Sequence, residues 1–525
     1  MMTGVLLNSD SSECSLAKRD LWALLLLFLL ALALRLIRLF DLDLNFDEVV
    51  LLFRSQDSFV DIWNNCKTDN FPPLYPWLVK IWMSLASGDH WYRLFGALLG
   101  SLTPPAAYLL GREIQDKKLG WYLGIASAFS VFLIFHSQFV RMFNVQTLLA
   151  CLSFCWFLKA LRTNQERYWL LVALANLVGF YVYIFMILLV LAEFLVLLYY
   201  RRLDLKAYVQ PALAHLPFLL GVLLWMTPAL QRYALIQQGF WIPPLSWKDV
   251  VIVWLSLGAG AYFRGLYALA AILNLLFLLG FVLALALSPR KATGNITAFL
   301  FAFVIVVIGL VSLWGQSFFH IRYVLFVLPL YLALALYGWM KLRRSFWRKL
   351  GLSLIFATLA CSLVYYFIDY YWMHEYYGFI RPLPYAEANE GHALSLMAAD
   401  VADRIKDDEV IIHFSDASYF ASLYYHRRSL KEYFYCKEGI SQFRGRQYLK
   451  PGEWIRSLSE LIPMPKGVWM VTFGEAVDML GENPPRWVWH DNLPAELRAA
   501  GYQRVTTLHR GNVTAVYFRR NNEGF

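Results

Sequence analysis

The chain has 525 residues, 59% of them hydrophobic and 16% charged, with 20 Trp, 31 Tyr and 39 Phe. That balance excludes a water-soluble fold for the whole chain, because too little polar surface exists to cover its apolar patches. The net charge of +10 is not read as a nucleic-acid signal. Most Lys and Arg sit in short loops between apolar runs, as the positive-inside bias of a membrane protein requires.

The runs measure about 16 to 23 residues, roughly what crosses a bilayer at ~1.5 Å per residue. The first begins near Asp20 and ends at Phe40 without a small-residue cleavage site, so it reads as a retained helix and not a signal peptide. Spans are predicted at 20–40, 91–110, 119–136, 143–161, 168–183, 185–200, 210–227, 265–287, 296–314, 321–340 and 349–369. Lys18 and Arg19, the loops holding Arg112, Lys117 and Lys118, then Lys159, Arg162 and Arg167, fall on one side. So do Arg201, Arg202 and Lys206, then Arg290 and Lys291, and the cluster from Lys341 to Lys349. That side is assigned to the cytoplasm, which leaves the C-terminus outside.

Three external segments are long. Segment 41–90 opens with LNFDEVVLLF, where Asp47 and Glu48 stand side by side, and continues to DNFPPLYPWLVKIW. The stretch PPLYPWLVKIWMSLAS has apolar residues at helical spacing but carries Lys80 and three prolines, so it predicts an interfacial helix and not a span. Segment 228–264 follows later, and the tail begins near residue 370. In that tail ALSLMAADVADRIKDDEVIIHFSD predicts a helix, a charged turn and a buried strand. GVWMVTF predicts another strand, and the end of the chain a helix followed by a hairpin at Arg510-Gly-Asn. Two parts result: a membrane domain over 1–370 and a small external α/β domain over 371–525. Of the six cysteines, Cys151 and Cys155 read as small apolar residues of a span. Cys66 and Cys436 both fall in external segments, where a disulfide is permitted but not dictated.

Charges held at the membrane edge are costly and mark candidate chemistry. On the external side these are Asp47, Glu48, Asp69, Arg93, Arg141, Arg264 and Arg322. Acids and arginines gathered at one face suit a reaction on a lipid phosphate. A carboxylate takes the proton of an attacking hydroxyl, and guanidinium groups grip the departing phosphate. Adjacent helical residues point about 100° apart, so one acid does the chemistry and the other supports it. Arg35, Arg38 and Arg264 read as side chains snorkelling to the headgroups, and Glu193 as a snorkelling or helix-paired acid. Asp41-Leu-Asp43 matches D-x-D only in form, with no nucleotide fold around it.

The stretches NFDEVVLLF, DNFPPLYPWL, WYRLFGALLGSLTPPAAYLLGREI, HSQFVRMFNVQTLLACLSFCWFLKAL and IRYVLFVLPLY, in that order, resemble the GT-C membrane glycosyltransferases. Within them the likeness is to the bacterial branch of the protein O-mannosyltransferase and lipid A aminoarabinose transferase superfamily, over roughly residues 20–370. The resemblance implies a polyprenyl-phosphate sugar donor, an acceptor hydroxyl on a glycolipid, polysaccharide or protein, and inversion at the anomeric carbon. It implies Asp47 as general base with Glu48 in support, Arg141 and Arg322 on the donor phosphate, and Tyr323 lining that pocket. Asp69, Tyr75, Arg93, His136 and Gln138 would line the substrate cavity. It also implies a hexosyl or pentosyl transfer in a bacterial inner membrane, with no metal and no cofactor beyond the lipid-linked donor. Phe71 and Phe139 stand where the branch commonly carries His and Glu, putting aromatic rings in place of polar groups. A transporter of lipid-linked sugars is the alternative, weakened because no repeated pair of broken helices is visible and the charges lie at one face instead of the midplane. A catalytically dead scaffold with a glycan-binding tail is a third reading, opposed by the intact acids and arginines.

Overall fold

The computed structural model describes residues 18–67, 71–201, 205–236, 242, 244–260, 267–289, 293–368, 393–413, 416–427, 429–436, 448–450, 452–473, 493–511 and 513–521. In chain order the helices begin α1 (Lys18–Leu36), α2 (Phe46–Gln56), α3 (Phe59–Lys67), α4 (Leu74–Met83), α5 (Asp89–Gly100), α6 (Thr103–Ile114), α7 (Lys117–Phe129), α8 (Val131–Ser137) and α9 (Phe143–Thr163). They continue as α10 (Glu166–Val182), α11 (Met186–Arg201), α12 (Lys206–Ala214), α13 (Leu216–Ile236), α14 (Trp247–Leu257), α15 (Tyr267–Leu287), α16 (Thr293–Trp314), α17 (Ile321–Val324), α18 (Leu328–Met340) and α19 (Ser345–Ile368). The remainder alternates: α20 (Ala393–Ala402), β1 (Glu409–His413), α21 (Asp416–Tyr425), β2 (Glu432–Tyr435), β3 (Trp454–Ile455), β4 (Gly467–Phe473), α22 (Leu493–Ala499), β5 (Tyr502–Arg510) and β6 (Val513–Arg520).

The chain divides into two compact units, Met1–Leu39 with Phe59–Tyr370, and Phe40–Ser58 with Tyr371–Phe525. Segment 40–58, which carries Asp47 and Glu48, therefore folds with the C-terminal sheet instead of with the helices on either side of it in sequence.

Every predicted span carries a helix, and the chain is a multi-pass membrane protein. By length and apolarity alone, six helices among the described residues qualify as crossings, or eight if two bent pairs count as one each. The other predicted spans fall short for visible reasons. α10 has 17 residues and α11 has 16, below the ~20 that a bilayer needs. α1 has 19 residues but includes Lys18, Arg19, Asp20 and Arg35.

At one end of the helical unit the charges pair across loops. Asp20 meets Arg112 and Lys117, each at 3.1 Å, and accepts from the Tyr108 hydroxyl at 3.0 Å. Glu113 meets Lys159 at 3.3 Å and also Arg162, and Arg201 donates to the Asn164 side chain at 3.2 Å. The loops bearing Arg112, Lys117, Lys159, Arg162 and Arg201, all assigned above to one side of the bilayer, are thus linked with the start of α1. Between them the helices pack on glycine. A Cβ on Gly111 would meet the Gly120 Cα at 2.8 Å, and one on Gly338 would meet the Gly280 carbonyl oxygen at 1.8 Å. Without a hydrophobic drive inside lipid, such close backbone approach is the main source of helix association. α18 sits inside the bundle, its span 94% buried, whereas α15 at 28% and α16 at 39% present most of their surface outward.

In the second unit six strands run in the order β3-β2-β1-β4-β6-β5. The first four are parallel, and β6 pairs antiparallel with both β4 and β5. All five β1 residues are buried, as a parallel strand covered on both faces must be. Alternation divides its neighbours: Val410 and Ile412 join Val468, Met470, Val516 and Phe518 on one face, and Ile411 joins Trp469, Val471 and Ala515 on the other. The predicted hairpin turns at Gly511, whose φ is +51°. Sequence reading did not find β2, β3 or α21, because β2 has four residues and β3 two, too short for a period to show.

Glu432 on β2 sits between two histidines, accepting from His413 Nε2 at 3.1 Å and from His426 Nδ1 at 2.8 Å. His426 Nε2 donates to the Ala398 carbonyl at 2.7 Å, so both of its nitrogens bear protons and the pair is charged. Burial alone would raise the Glu432 carboxyl, but the two imidazole donors outweigh it and hold it at about 2. Burial pulls His426 down, and Glu432 with the Ala398 carbonyl more than restores it, leaving it above its ordinary value. His413, wholly buried, stays below its ordinary value despite the same carboxylate. A depressed acid stabilises the fold above its unfolded value of 4.5 and loses that contribution as pH falls through its folded value. Glu432→Gln is therefore expected to cost this unit roughly 3–5 kcal/mol at pH 5 to 7. The difference from wild type should narrow as pH falls towards about 2, read as hydrogen-exchange protection of β1 and β2; a pH-independent difference would contradict the charge assignment.

Candidate active site

The helical unit gathers its candidate residues around Phe143, the first residue of α9. The peptide leaves α8 at Ser137, and the connection 138–142 brings Arg141 up to the start of α9. Arg141 lies with its guanidinium 5.2 Å from the Phe71 ring centre and 5.8 Å from that of Phe143. Arg322, in the short helix α17, lies 5.8 Å from the same Phe143 ring. Two cations from segments 181 residues apart in sequence (322 minus 141) thus share one aromatic ring. Each cation gains from a ring face, on the order of 0.5–2 kcal/mol, while the two repel one another. An anion bound near both would be attracted by each of them.

Aromatic side chains close the surround. Tyr183 packs 5.4 Å from Phe143, 5.9 Å from Tyr323 and 6.1 Å from Phe71. Tyr323 stacks on Phe185 at 5.1 Å, and His136 stands edge-on to Phe143 at 5.7 Å. Both arginines lie near enough to His136 and Tyr183 to act on them electrostatically. The His320 side chain caps α17 by accepting the Arg322 backbone N–H at 3.3 Å, which fixes where Arg322 leaves the backbone.

Of the residues expected here, Arg141, Arg322, Tyr323 and His136 come together. Phe143, Tyr183, Phe185 and His320 join them unannounced, since aromatic residues in an aromatic-rich chain carry no distinguishing signal. Arg93 is 2% exposed, with its guanidinium over the Phe139 ring at 5.6 Å. Tyr75 is buried, 6.0 Å from the Phe95 ring. Asp69 and Arg264 lie outside the described residues.

Gln138 is bonded to the ends of two helices. Its amide nitrogen donates to the carbonyls of Arg35 at 3.0 Å and Ile37 at 2.8 Å, and its oxygen accepts from the Tyr366 hydroxyl at 2.5 Å. These carbonyls end α1, where a helix leaves its acceptors without partners. Gln138 thus ties α1 to α19, and Arg38 adds a bond to the Phe367 carbonyl at 2.8 Å. Arg35 does not snorkel, contrary to expectation. It is fully buried against Gly100 and donates to Ala31 at 3.1 Å, because helix packing covers its side of α1. Of the two readings of Glu193, the structure shows the helix-paired acid and not the snorkelling one. At 3% exposure it bonds Asn176 at 2.9 Å and Ser153 at 2.9 Å, polar partners on α10 and α9 that meet it inside the bundle.

The acids belong to the second unit. Asn45 caps α2 by accepting the Glu48 N–H at 3.0 Å, and the Glu48 carboxylate accepts the Asn45 N–H at 3.0 Å. This reciprocal capping box closes the first turn. Glu48 is wholly buried, while Asp47, one residue earlier, is only half-buried. Both acids sit at the positive end of the helix dipole.

The model of the dolichyl-phosphate-mannose-protein mannosyltransferase family matches residues 70–231. No curated protein matches the chain in sequence. Among solved structures the chain is similar to ArnT from Cupriavidus metallidurans in the apo state, with a TM-score of 0.58 at 14% identity, covering 95% of this chain and 98% of that one. The same enzyme bound to undecaprenyl phosphate matches with a TM-score of 0.55 at 14% identity, covering 94% of this chain and 98% of that one. At such identity the likeness establishes a shared fold over nearly the whole length.

The connection bearing Arg141 rests directly on α5. A Cβ on Gly96 would meet the Phe139 carbonyl oxygen at 2.4 Å and that of Ser137 at 2.8 Å, and the Asn144 amide donates to the Gly96 carbonyl at 2.8 Å. Gly96→Ala must push the connection away, and a loss of about 1–3 kcal/mol is expected in thermal unfolding of the detergent-solubilised protein. Unchanged stability together with unchanged donor binding would show that the contact does not shape the site.

Proposed function

We propose that this chain is a membrane glycosyltransferase of GT-C type that moves a hexosyl or pentosyl unit from a polyprenyl-phosphate donor to an acceptor hydroxyl, with inversion at the anomeric carbon. The observation that carries this reading is the convergence of Arg141 and Arg322 on the Phe143 ring. Paired guanidinium groups among aromatic side chains suit a phosphate attached to an apolar chain. The ArnT relative bound to undecaprenyl phosphate supports a ligand of that class.

In the proposed reaction the acceptor oxygen attacks the anomeric carbon from the face opposite the phosphate. Its proton passes to the Asp47 carboxylate, and the bond between the anomeric carbon and the phosphate oxygen breaks. The electron pair leaves with the lipid phosphate, whose charge Arg141 and Arg322 neutralise, so neither a general acid nor a metal is required. Glu48 holds the first turn of α2 and thereby the backbone of Asp47. Tyr323 lines the donor phosphate pocket, with Asp69, Tyr75, Arg93, His136 and Gln138 in the substrate cavity. The acceptor is a glycolipid, polysaccharide or protein hydroxyl at the external face of a bacterial inner membrane. Eleven crossings with a cytoplasmic N-terminus complete this reading.

Asp47→Asn is expected to lower transfer from a polyprenyl-phosphate sugar by roughly 10²–10⁴-fold without weakening donor binding. Arg141→Ala or Arg322→Ala should each weaken donor binding by about 10- to 100-fold, the worth of a charge-assisted hydrogen bond. Full activity of Asp47→Asn would sink the base assignment, and unchanged donor affinity in both arginine variants would remove the phosphate site. Movement of labelled lipid across vesicles without a glycosidic product would favour the transporter, and loss of turnover in a chelator with recovery on adding a divalent ion would overturn the metal-free mechanism.

A further inference from the structure

The C-terminal α/β unit has no assigned role, yet the helix carrying the candidate base is built into it. Alone, an 11-residue helix such as α2 is marginal in water, since nucleation costs more than so few hydrogen bonds return. Here it is held at several points by residues 350 to 400 positions away in the chain. The Phe420 ring of α21 packs 6.1 Å from Phe46 and 5.9 Å from Phe53, the residues on either side of the acids along one helix face. Val49 and Leu52, on the turns between them, are wholly buried.

The approach to the helix is held as well. The Leu44 N–H donates to the Tyr425 hydroxyl at 3.1 Å, and the Asp43 carboxylate accepts the Ser395 N–H at 2.8 Å at the start of α20. At the far end Arg54, 2% exposed, donates to the Tyr448 hydroxyl at 2.7 Å and lies over that ring. Both the rotation of α2 about its axis and the entry of its backbone are therefore set by α20, α21 and Tyr448. With Glu48 turned into the capping box, Asp47 is the half-buried acid of the pair.

We infer that the C-terminal unit aims the catalytic carboxylate, with Phe420 and Tyr425 as positioning residues that set the orientation of Asp47 through α2. This rests on the assignment of Asp47 as general base. A carboxylate misplaced by about 1 Å loses on the order of 10²-fold in rate, while Arg141 and Arg322, the proposed phosphate ligands, are carried by the other compact unit.

The test uses the full-length enzyme in detergent or nanodiscs. Tyr425→Phe removes the acceptor for Leu44 and keeps the ring; Phe420→Ala removes the ring contact, and Phe420→Leu partly restores the volume. We expect kcat to fall by about 10-fold for Tyr425→Phe and 10²-fold for Phe420→Ala, with partial recovery in Phe420→Leu and donor affinity unchanged throughout. In an Asp47→Asn background Phe420→Ala should add no further loss, because the group it positions is already gone. Wild-type kcat in both Tyr425→Phe and Phe420→Ala overturns the inference. So does a parallel loss of donor binding, or a full additional loss on top of Asp47→Asn, since either marks general structural damage. Full activity of Asp47→Asn by itself would instead reject the base assignment on which the inference stands.

Discussion

Keeping guanidinium groups inside an apolar helical bundle is the constraint on which the larger unit depends. An isolated buried charge costs several kcal/mol, so each arginine must be met by something. Arg93 meets the face of Phe139, while Arg141 and Arg322 share Phe143. Arg35 bonds a carbonyl of its own helix. The dense aromatic composition then has a physical purpose beyond filling a membrane core: ring faces stabilise cations without neutralising them.

The same reasoning accounts for Phe71 and Phe139, which replace polar residues common in the resembled branch. Neither replacement leaves a gap, because each ring lies against an arginine. The surrounding backbone is held independently of those side chains. Gly96 admits the connection 137–144 at close range, Asn144 fastens it, and Gln138 ties it to the end of α1.

The acids follow another logic. Adjacent carboxylates at a helix start compete for the same positive end, and the structure separates them by burial. Glu48 is consumed by the capping box and Asp47 stays partly accessible. What holds this helix is an α/β unit drawn mostly from the last third of the chain, so the tail contributes to the acid-bearing element whatever else it recognises. The buried charged pair Glu432–His426 shows that even this small sheet accepts a charge inside it when each polar atom has a partner.

Sequence alone determined what short-range physics dictates. Apolar runs of bilayer length, the strands VIIHF and GVWMVTF and the hairpin before the C-terminus were readable because full burial demands an unbroken apolar run and half-burial an alternating one. Arg141 and Arg322 stood out because charge at the membrane edge is rare. Only the tertiary structure decided which charges are spent on holding the fold, since a glutamine clamp such as Gln138 or a fully buried Arg35 has no local signature. It alone joined segment 40–58 to the C-terminal sheet, through the contact of Phe420 with Phe46 and Phe53. Contacts between residues hundreds of positions apart leave no period in the sequence, and two phenylalanines seven apart read the same whether lipid or another aromatic ring covers them.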